Sequence, residues 1–326
     1  MLRGRSNGIV TAAALILTLG TPLFAEDYPS RPISFVVGFA PGGGTDLVAR
    51  LVSKEMQERL RQPVVVENRS GASGQIALNY IAKSPPDGYR VTFGSAATLA
   101  MAYGTMRDKL PYDPNGFAPI ARVVDIPFVL IVNPAVPVTD LRAFIEYAKD
   151  QPQPLKMATT GAGTNHHVYA AMLSEMSGFK FLPVAYRGSQ PAMTDVLAGH
   201  IPCMFIDLAT ALPLIRDGKL RAIGVSTKSR VAAAPDIPSL AESGLPDFDA
   251  ASWFVVVAPL GAPAAVLDKL HTELKAVMAM PEIQKAVIDM GMVPIDSSGT
   301  DDLRSFIRKE VNRWTELIDR MGIKPE

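Results

Sequence analysis

The stretch FVVGFAPGGGTDLVARLV (residues 35–52) holds an apolar run, three consecutive glycines, and then apolar residues at a new period. ISFVVGF (33–39) has the length and apolar content of a buried strand. Leu47, Val48, Leu51, Val52, Met56 and Leu60 follow at the three- and four-residue spacing of a helix face. A strand that turns through glycines straight into a helix is the start of a βαβ unit. Glycines let the backbone approach a guest, the first N–H groups of a helix lack intrahelical partners, and the helix dipole adds partial positive charge there. The natural guest of Gly42-Gly43-Gly44-Thr45-Asp46 is an anion.

Working outward, PVVVEN (63–68) reads as the next strand, RSGASG as its loop, residues 74–83 as a helix and RVTFGSA (90–96) as a third strand. The plan then repeats. LKMATTGAGTNHH (155–167) supplies a strand, a glycine turn and a helix over 165–176. FLPVAYRGSQPA (181–192) supplies a strand, a Gly-Ser loop and a helix over 190–198, and IPCMFID (201–207) closes the series. Gly44-Thr45-Asp46 corresponds to Gly163-Thr164-Asn165, and Ser70 and Ser189 each lie 25 residues beyond the matching threonine. This duplication predicts two similar α/β lobes. VVDIPFVLIVNP (123–134) and DAASWFVVVAPLGAP (249–263) lack helical period and read as two strands crossing between the lobes as a hinge. The expected organisation is a leader over 1–25, a first lobe over 26–125, a second over 126–248, and a return to the first over 249–326. A closing helix begins with Thr300 as N-cap and Asp301 and Asp302 in its first turn, and it buries Leu303, Phe306, Ile307, Trp314, Leu317 and Ile318.

Arg3 and Arg5, an apolar stretch from about Ile9 to Leu19, and small residues ending at Ala25 form a secretory signal peptide. The stretch is shorter than the ~20 residues that span a bilayer, so the mature chain is expected to be exported and soluble. Lys plus Arg and Asp plus Glu each number 32. Without the leader the balance is 30 against 32, a net of −2, with no basic stripe for nucleic acid. Cys203 is the only cysteine, so no intrachain disulfide or thiolate metal cluster forms.

GGGTDL and GAGTNH both lack the last glycine of a dinucleotide fingerprint, and neither has the lysine of a P-loop. Uncharged donors at helix starts suit a carboxylate better than a pyrophosphate. GASGQ (71–75) resembles a nucleophile elbow, but Gln75 stands where a second glycine is needed. His166 and His167 diverge by about 100° on a helix and make no metal pair. His166 is open to a ligand role or a helix-start role, and Asp46 is read as capping its own helix. Asp207, at a strand end, either meets the ligand or braces a loop. No acid/base pair and no nucleophile with its base is visible.

YPSRPISFVVGFAPGGGTDLVARLV, PVVVENRSGASGQIA, PPDGYRVTFGSAAT, GTNHH, AYRGSQPAMTDVLAGHI and RAIGVSTKSR together resemble the Bug family. These are TctC-type proteins, the extracytoplasmic solute-binding receptors of tripartite tricarboxylate transporters, and the resemblance runs from Tyr28 to the C-terminus. It implies a type II periplasmic binding-protein fold, α/β, with two lobes closing on a ligand. It also implies no catalysis, no cofactor and a small carboxylate ligand, such as a di- or tricarboxylate, an acidic amino acid or an aromatic acid. Carried onto this chain, the first-lobe wall is Phe39, Gly43, Thr45 and the Ser95 loop. The second-lobe clamp is Thr160, Gly163, Thr164, Asn165 and His166, completed by Gly188, Ser189 and Asp207. The implied partner is the membrane permease, with the receptor a monomer in the periplasm; a signalling receptor as partner, or a periplasmic hydrolase, are the alternatives.

Overall fold

The computed structural model describes residues 28–323 apart from Ala40 and Gly43, so the leader over 1–25 and Gly43 lie outside the described residues. The first part of the chain forms β1 (Ile33–Val37), α1 (Gly44–Leu60), β2 (Val64–Asn68), α2 (Gln75–Ala82), β3 (Arg90–Ser95) and α3 (Ala102–Met106). A long strand β4 (Phe117–Val132) leads to α4 (Leu141–Lys149), β5 (Leu155–Thr159), α5 (Asn165–Ser177), β6 (Phe181–Ala185) and α6 (Ser189–Leu197). Next come β7 (Cys203–Asp207), α7 (Leu208–Arg216) and β8 (Arg221–Val225). The chain ends with β9 (Ala251–Pro259), α8 (Ala264–Met278), α9 (Pro281–Asp289), β10 (Val293–Pro294) and α10 (Thr300–Arg320).

The strands lie in the order β2-β1-β3-β9-β4-β7-β5-β6, with β8 and β10 also paired to β4. The duplication is present in this order. In one half β1 lies between β2 and β3, all parallel; in the other β5 lies between β6 and β7, all parallel. Each glycine turn therefore leaves the carboxyl end of the middle strand of its half, where α/β folds place their ligands.

The crossing differs from the expected pair of long strands. β4 runs for 16 residues, starting at Phe117 rather than near 123. Its first part, residues 117–127, pairs antiparallel with β9, and its last part, 128–132, pairs with β7 and β8. β9 begins at the seam, so the second crossing is the short link at Ala250. Ser226 pins that seam: its amide donates to the Phe128 carbonyl at 2.8 Å, and the Phe128 amide donates to its hydroxyl at 3.0 Å. The Ala250 amide in turn donates to the Ser226 carbonyl at 2.8 Å. Ser226 is fully buried, where unpaired polar groups are costly.

The closing helix α10 is present, but its N-cap is Gly299 and Thr300 is already helical. Trp314 is core, as expected, at 0% exposure. It shares one acceptor with the only other tryptophan. The Trp253 indole donates to Glu310 Oε2 at 2.8 Å and the Trp314 indole donates to the same oxygen at 3.0 Å. This joins β9 to α10.

Glu310→Ala leaves two buried indole N–H groups unpaired, each costing about 1–3 kcal/mol. Urea denaturation should show a loss of roughly 2–6 kcal/mol, and Glu310→Gln, which keeps an acceptor, should lose less.

Candidate ligand-binding cleft

The two halves face each other across a cleft of about 260 Å³. One wall is Ala72, Gln75, Ala97, Thr98, Ala102, Thr105 and Met106; the other is the loop 160–164. No charged side chain lies among these described lining residues. The walls approach closely at Gly163, where an added Cβ would lie 2.6 Å from Cγ2 of Thr105, and Gly163 holds φ at +69°.

The second wall is a strand-to-helix corner built as the sequence predicts. Thr164 is the N-cap of α5, yet its side chain accepts nothing from the first turn. Its hydroxyl donates to the Gly161 carbonyl at 2.8 Å and braces the loop instead. The Gly163 amide donates to Nδ1 of His167 at 3.2 Å. Gly188, the N-cap of α6, has no side chain to cap with.

His166 joins the two corners. Its Nδ1 lies 2.9 Å from the Thr160 hydroxyl and its Nε2 3.2 Å from the Ser189 hydroxyl. Its ring packs edge-on to Phe128 of β4, with centroids 5.4 Å apart. Burial lowers its pKa to about 4, so the imidazole is neutral at pH 7. The structure thus brings together a hydroxyl and an imidazole that sequence spacing did not connect. As a catalytic pair it is poor, because Thr160 stands where an orienting carboxylate would be needed and a base with pKa near 4 accepts protons weakly at neutral pH. Cys203, the other nucleophile type, is buried and its thiol pKa is pushed up by desolvation.

The first wall is arranged differently. Asp46 is 1% exposed and accepts from the Gly42 amide just before α1 at 2.9 Å, from Arg50 Nε at 2.8 Å and from Asn68 Nδ2 at 2.8 Å. Burial works against its charge, but the bonds from Arg50, Gly42 and Asn68 outweigh it and hold the carboxyl below its usual range. Asp46 is therefore a brace for the glycine loop. Ser95 is also committed internally. Its hydroxyl accepts from the Thr98 amide at 3.3 Å while the Thr98 hydroxyl accepts from the Ser95 amide at 2.9 Å. This capping box opens a wide π-helical turn over Ala96–Met101, which presents Ala97 and Thr98 to the cleft.

Of the residues expected from sequence, Thr160, Gly163 and Thr164 line the cleft. His166 and Ser189 stand behind them. Asn165 opens α5 with a buried side-chain oxygen that has no partner. Gly188 opens α6, while Asp207 caps α7, with Oδ1 accepting from the Thr210 amide at 2.9 Å. Phe39 and Thr45 are half-buried, the Phe39 carbonyl accepting from Asn68 at 3.1 Å. Sequence reasoning missed the wall from Ala72 and Gln75 to Met106. Its signal was present in GASG, where Gly71, Ala72 and Gly74 all adopt positive φ. At Ala72, φ +44°, an L residue carries about 1–2 kcal/mol of strain.

A family model described as the tripartite tricarboxylate transporter family receptor (TctC) matches residues 48–323. Protein BugT of Bordetella pertussis is 34% identical over 319 residues, covering 97% of this chain and 96% of that protein. The periplasmic binding protein BugD superposes with a TM-score of 0.81 at 33% identity, over 92% of this chain and 100% of that one. Rpa4515 of R. palustris, solved with adipate, gives 0.84 at 31% identity over 92% and 100%. The fold is thus that of the two-lobed periplasmic binding proteins, receptors rather than enzymes. Among the described residues no helix is long and apolar enough to cross a membrane.

The neutral state of His166 has a pH signature. Its folded pKa of about 4 lies below the ordinary value of 6.5, so protonation favours unfolding. Its contribution is complete above pH 6.5 and is lost as pH falls through about 4, at up to about 1.4 kcal/mol per pH unit. Melting temperatures measured from pH 7.5 to pH 4 should fall more steeply for the wild type than for His166→Gln.

Proposed function

The chain belongs to the tripartite tricarboxylate transporter receptor family, also called Bug or TctC, and we propose that it captures a small carboxylate in the periplasm for its transporter. The observation that carries this reading is the second wall of the cleft. The start of α5 there, and that of α6 behind it, receive no side-chain cap from Thr164 or Gly188, and a neutral imidazole holds both corners in place. A carboxylate seated there takes main-chain hydrogen bonds and the positive ends of two helix dipoles. Hydrogen bonds to a charged acceptor contribute about 1.5–3 kcal/mol each.

In this reading residues 1–25 are a cleaved export signal, 26–125 and 249–326 form the first lobe, and 126–248 form the second. Thr160, Gly163, Thr164, Asn165, His166, Gly188 and Ser189 hold the acid group, and Asp207 steadies α7 beside them. The first lobe, from Phe39, Gly43 and Thr45 to the Ser95 turn, meets the rest of the ligand, partly through water. The loaded, closed monomer is what the permease recognises. The adipate bound by Rpa4515 supports the ligand class.

Thermal shift of the mature chain against mono-, di- and tricarboxylates, aromatic acids, amides and sugars tests this directly. At least one acid should raise the melting temperature with no turnover on prolonged incubation. Stabilisation by sugars or amides alone would remove the assignment.

Gly163→Ala tests the geometry. The added methyl forces a left-handed backbone on an L residue and meets the Thr105 side chain, propping the walls apart. Calorimetry should show at least about a tenfold loss of acid affinity, equivalent to roughly 1.4 kcal/mol.

A further inference from the structure

We propose that α10 is a latch behind the cleft, holding α5 against the other half and so setting ligand affinity through residues that do not touch the ligand. This rests on the receptor reading above. α10 belongs with the first wall. A Cβ on Gly104 of α3 would lie 3.0 Å from Cδ1 of Ile318 and 3.3 Å from Cα of Thr315, and Arg107 pairs with Asp319. α5 belongs with the second wall and covers β5 and β7.

Two contacts bridge these helices. The rings of Trp314 and Tyr169 lie 5.8 Å apart at 32°, and Arg320 Nε meets Glu175 Oε1 at 2.5 Å. From Trp314 to Arg320 and from Tyr169 to Glu175 the chain advances six residues, about 9 Å in each helix. The helices therefore run side by side in the same direction. Neighbouring residues at the end of α10 grip opposite halves, Asp319 holding Arg107 and Arg320 holding Glu175.

The ligand corner sits on the same rod. Asn165 and His166 open α5, and Tyr169 follows one turn later. Where α5 lies against α10 decides whether Gly163 reaches Thr105. Rotation of one half on the β4 seam slides α5 past α10 and breaks the outer contact, Arg320 with Glu175, because it lies farthest from Phe128. Apparent affinity is intrinsic affinity scaled by the fraction of molecules in the closed arrangement. Tyr169 and Glu175 on α5, with Trp314 and Arg320 on α10, are thus positioning residues for binding.

The test uses the mature chain as wild type, Glu175→Arg, Arg320→Glu and the double exchange. Small-angle scattering without ligand should give a larger radius of gyration for each single variant and the wild-type value for the double. Calorimetry with adipate should show binding weakened about three- to fivefold in the singles, through faster dissociation, with recovery in the double and melting temperatures unchanged throughout. Radii that do not differ, or singles that the double exchange fails to rescue, overturn the latch. If the scattering pattern holds while no carboxylate binds any form, the latch stands and the receptor reading falls.

Discussion

Everything else in the molecule hangs on the continuity of β4. One strand of 16 residues is hydrogen-bonded to β9 along its first part and to β7 and β8 along its last, so neither half closes its sheet without it. A break in β4 would expose ladder groups on both sides, and buried backbone groups left unpaired are costly. The seam is also narrow. Among the described residues the chain passes through it only at Phe128 on β4 and at the link at Ala250, both tied to Ser226. A strand stiff along its length but joined by a thin seam is what hinge closure requires: few residues absorb the rotation while each half moves as a unit.

That constraint decides where charge is tolerated. Each half contributes a glycine turn to the cleft, but the turns are not equivalent. At the first, the Asp46 carboxylate occupies the Gly42 amide and is itself held by Arg50 and Asn68. At the second, Asn165 takes the position that Asp46 holds in the duplicated plan, and no carboxylate stands there. The Thr160–His166–Ser189 bridge is neutral as well, because burial disfavours the imidazolium. A protonated histidine would attract an acid more strongly, but it would need a buried charge whenever the cleft is empty. A neutral bridge holds the geometry without that cost.

The parts legible in sequence were those with strong local contrast. Apolar runs broken by glycine turns fixed the β1–α1 and β5–α5 corners, and the paired spacing from Thr45 to Ser70 and from Thr164 to Ser189 matches the equivalent strand orders of the two halves. The start of β4 was hidden because FAPIAR mixes proline and arginine into a strand whose register with β9 shifts twice. The first wall was hidden for another reason. Ala96–Met106 is rich in small residues, which pack as well in a helical turn as in a loop, so its hydrophobic period is faint. The meeting of His166 with Ser189 was beyond any local reading, since it needs two loops to converge in space. Asp46 is a mixed case: Gly42 and Arg50 lie four residues to either side of it, within local reach, whereas Asn68 arrives from the end of β2.

The contact between Gly163 and Thr105 indicates how such a molecule can be switched by a small ligand. Inside the cleft the walls meet at Gly163 and Thr105, while behind it the halves also meet at Trp314 with Tyr169, at Arg320 with Glu175 and where Gly291 packs on Ala209. Moving an equilibrium between open and closed from 1:99 to 99:1 needs about 5.5 kcal/mol of preference for one state. Two or three charge-assisted hydrogen bonds at the second wall, made fully only when the first wall covers the ligand, are of that size. The uncharged lining of the cleft leaves the remaining preference to the ligand, and the seam at Phe128 and Ser226 is where the rotation is absorbed.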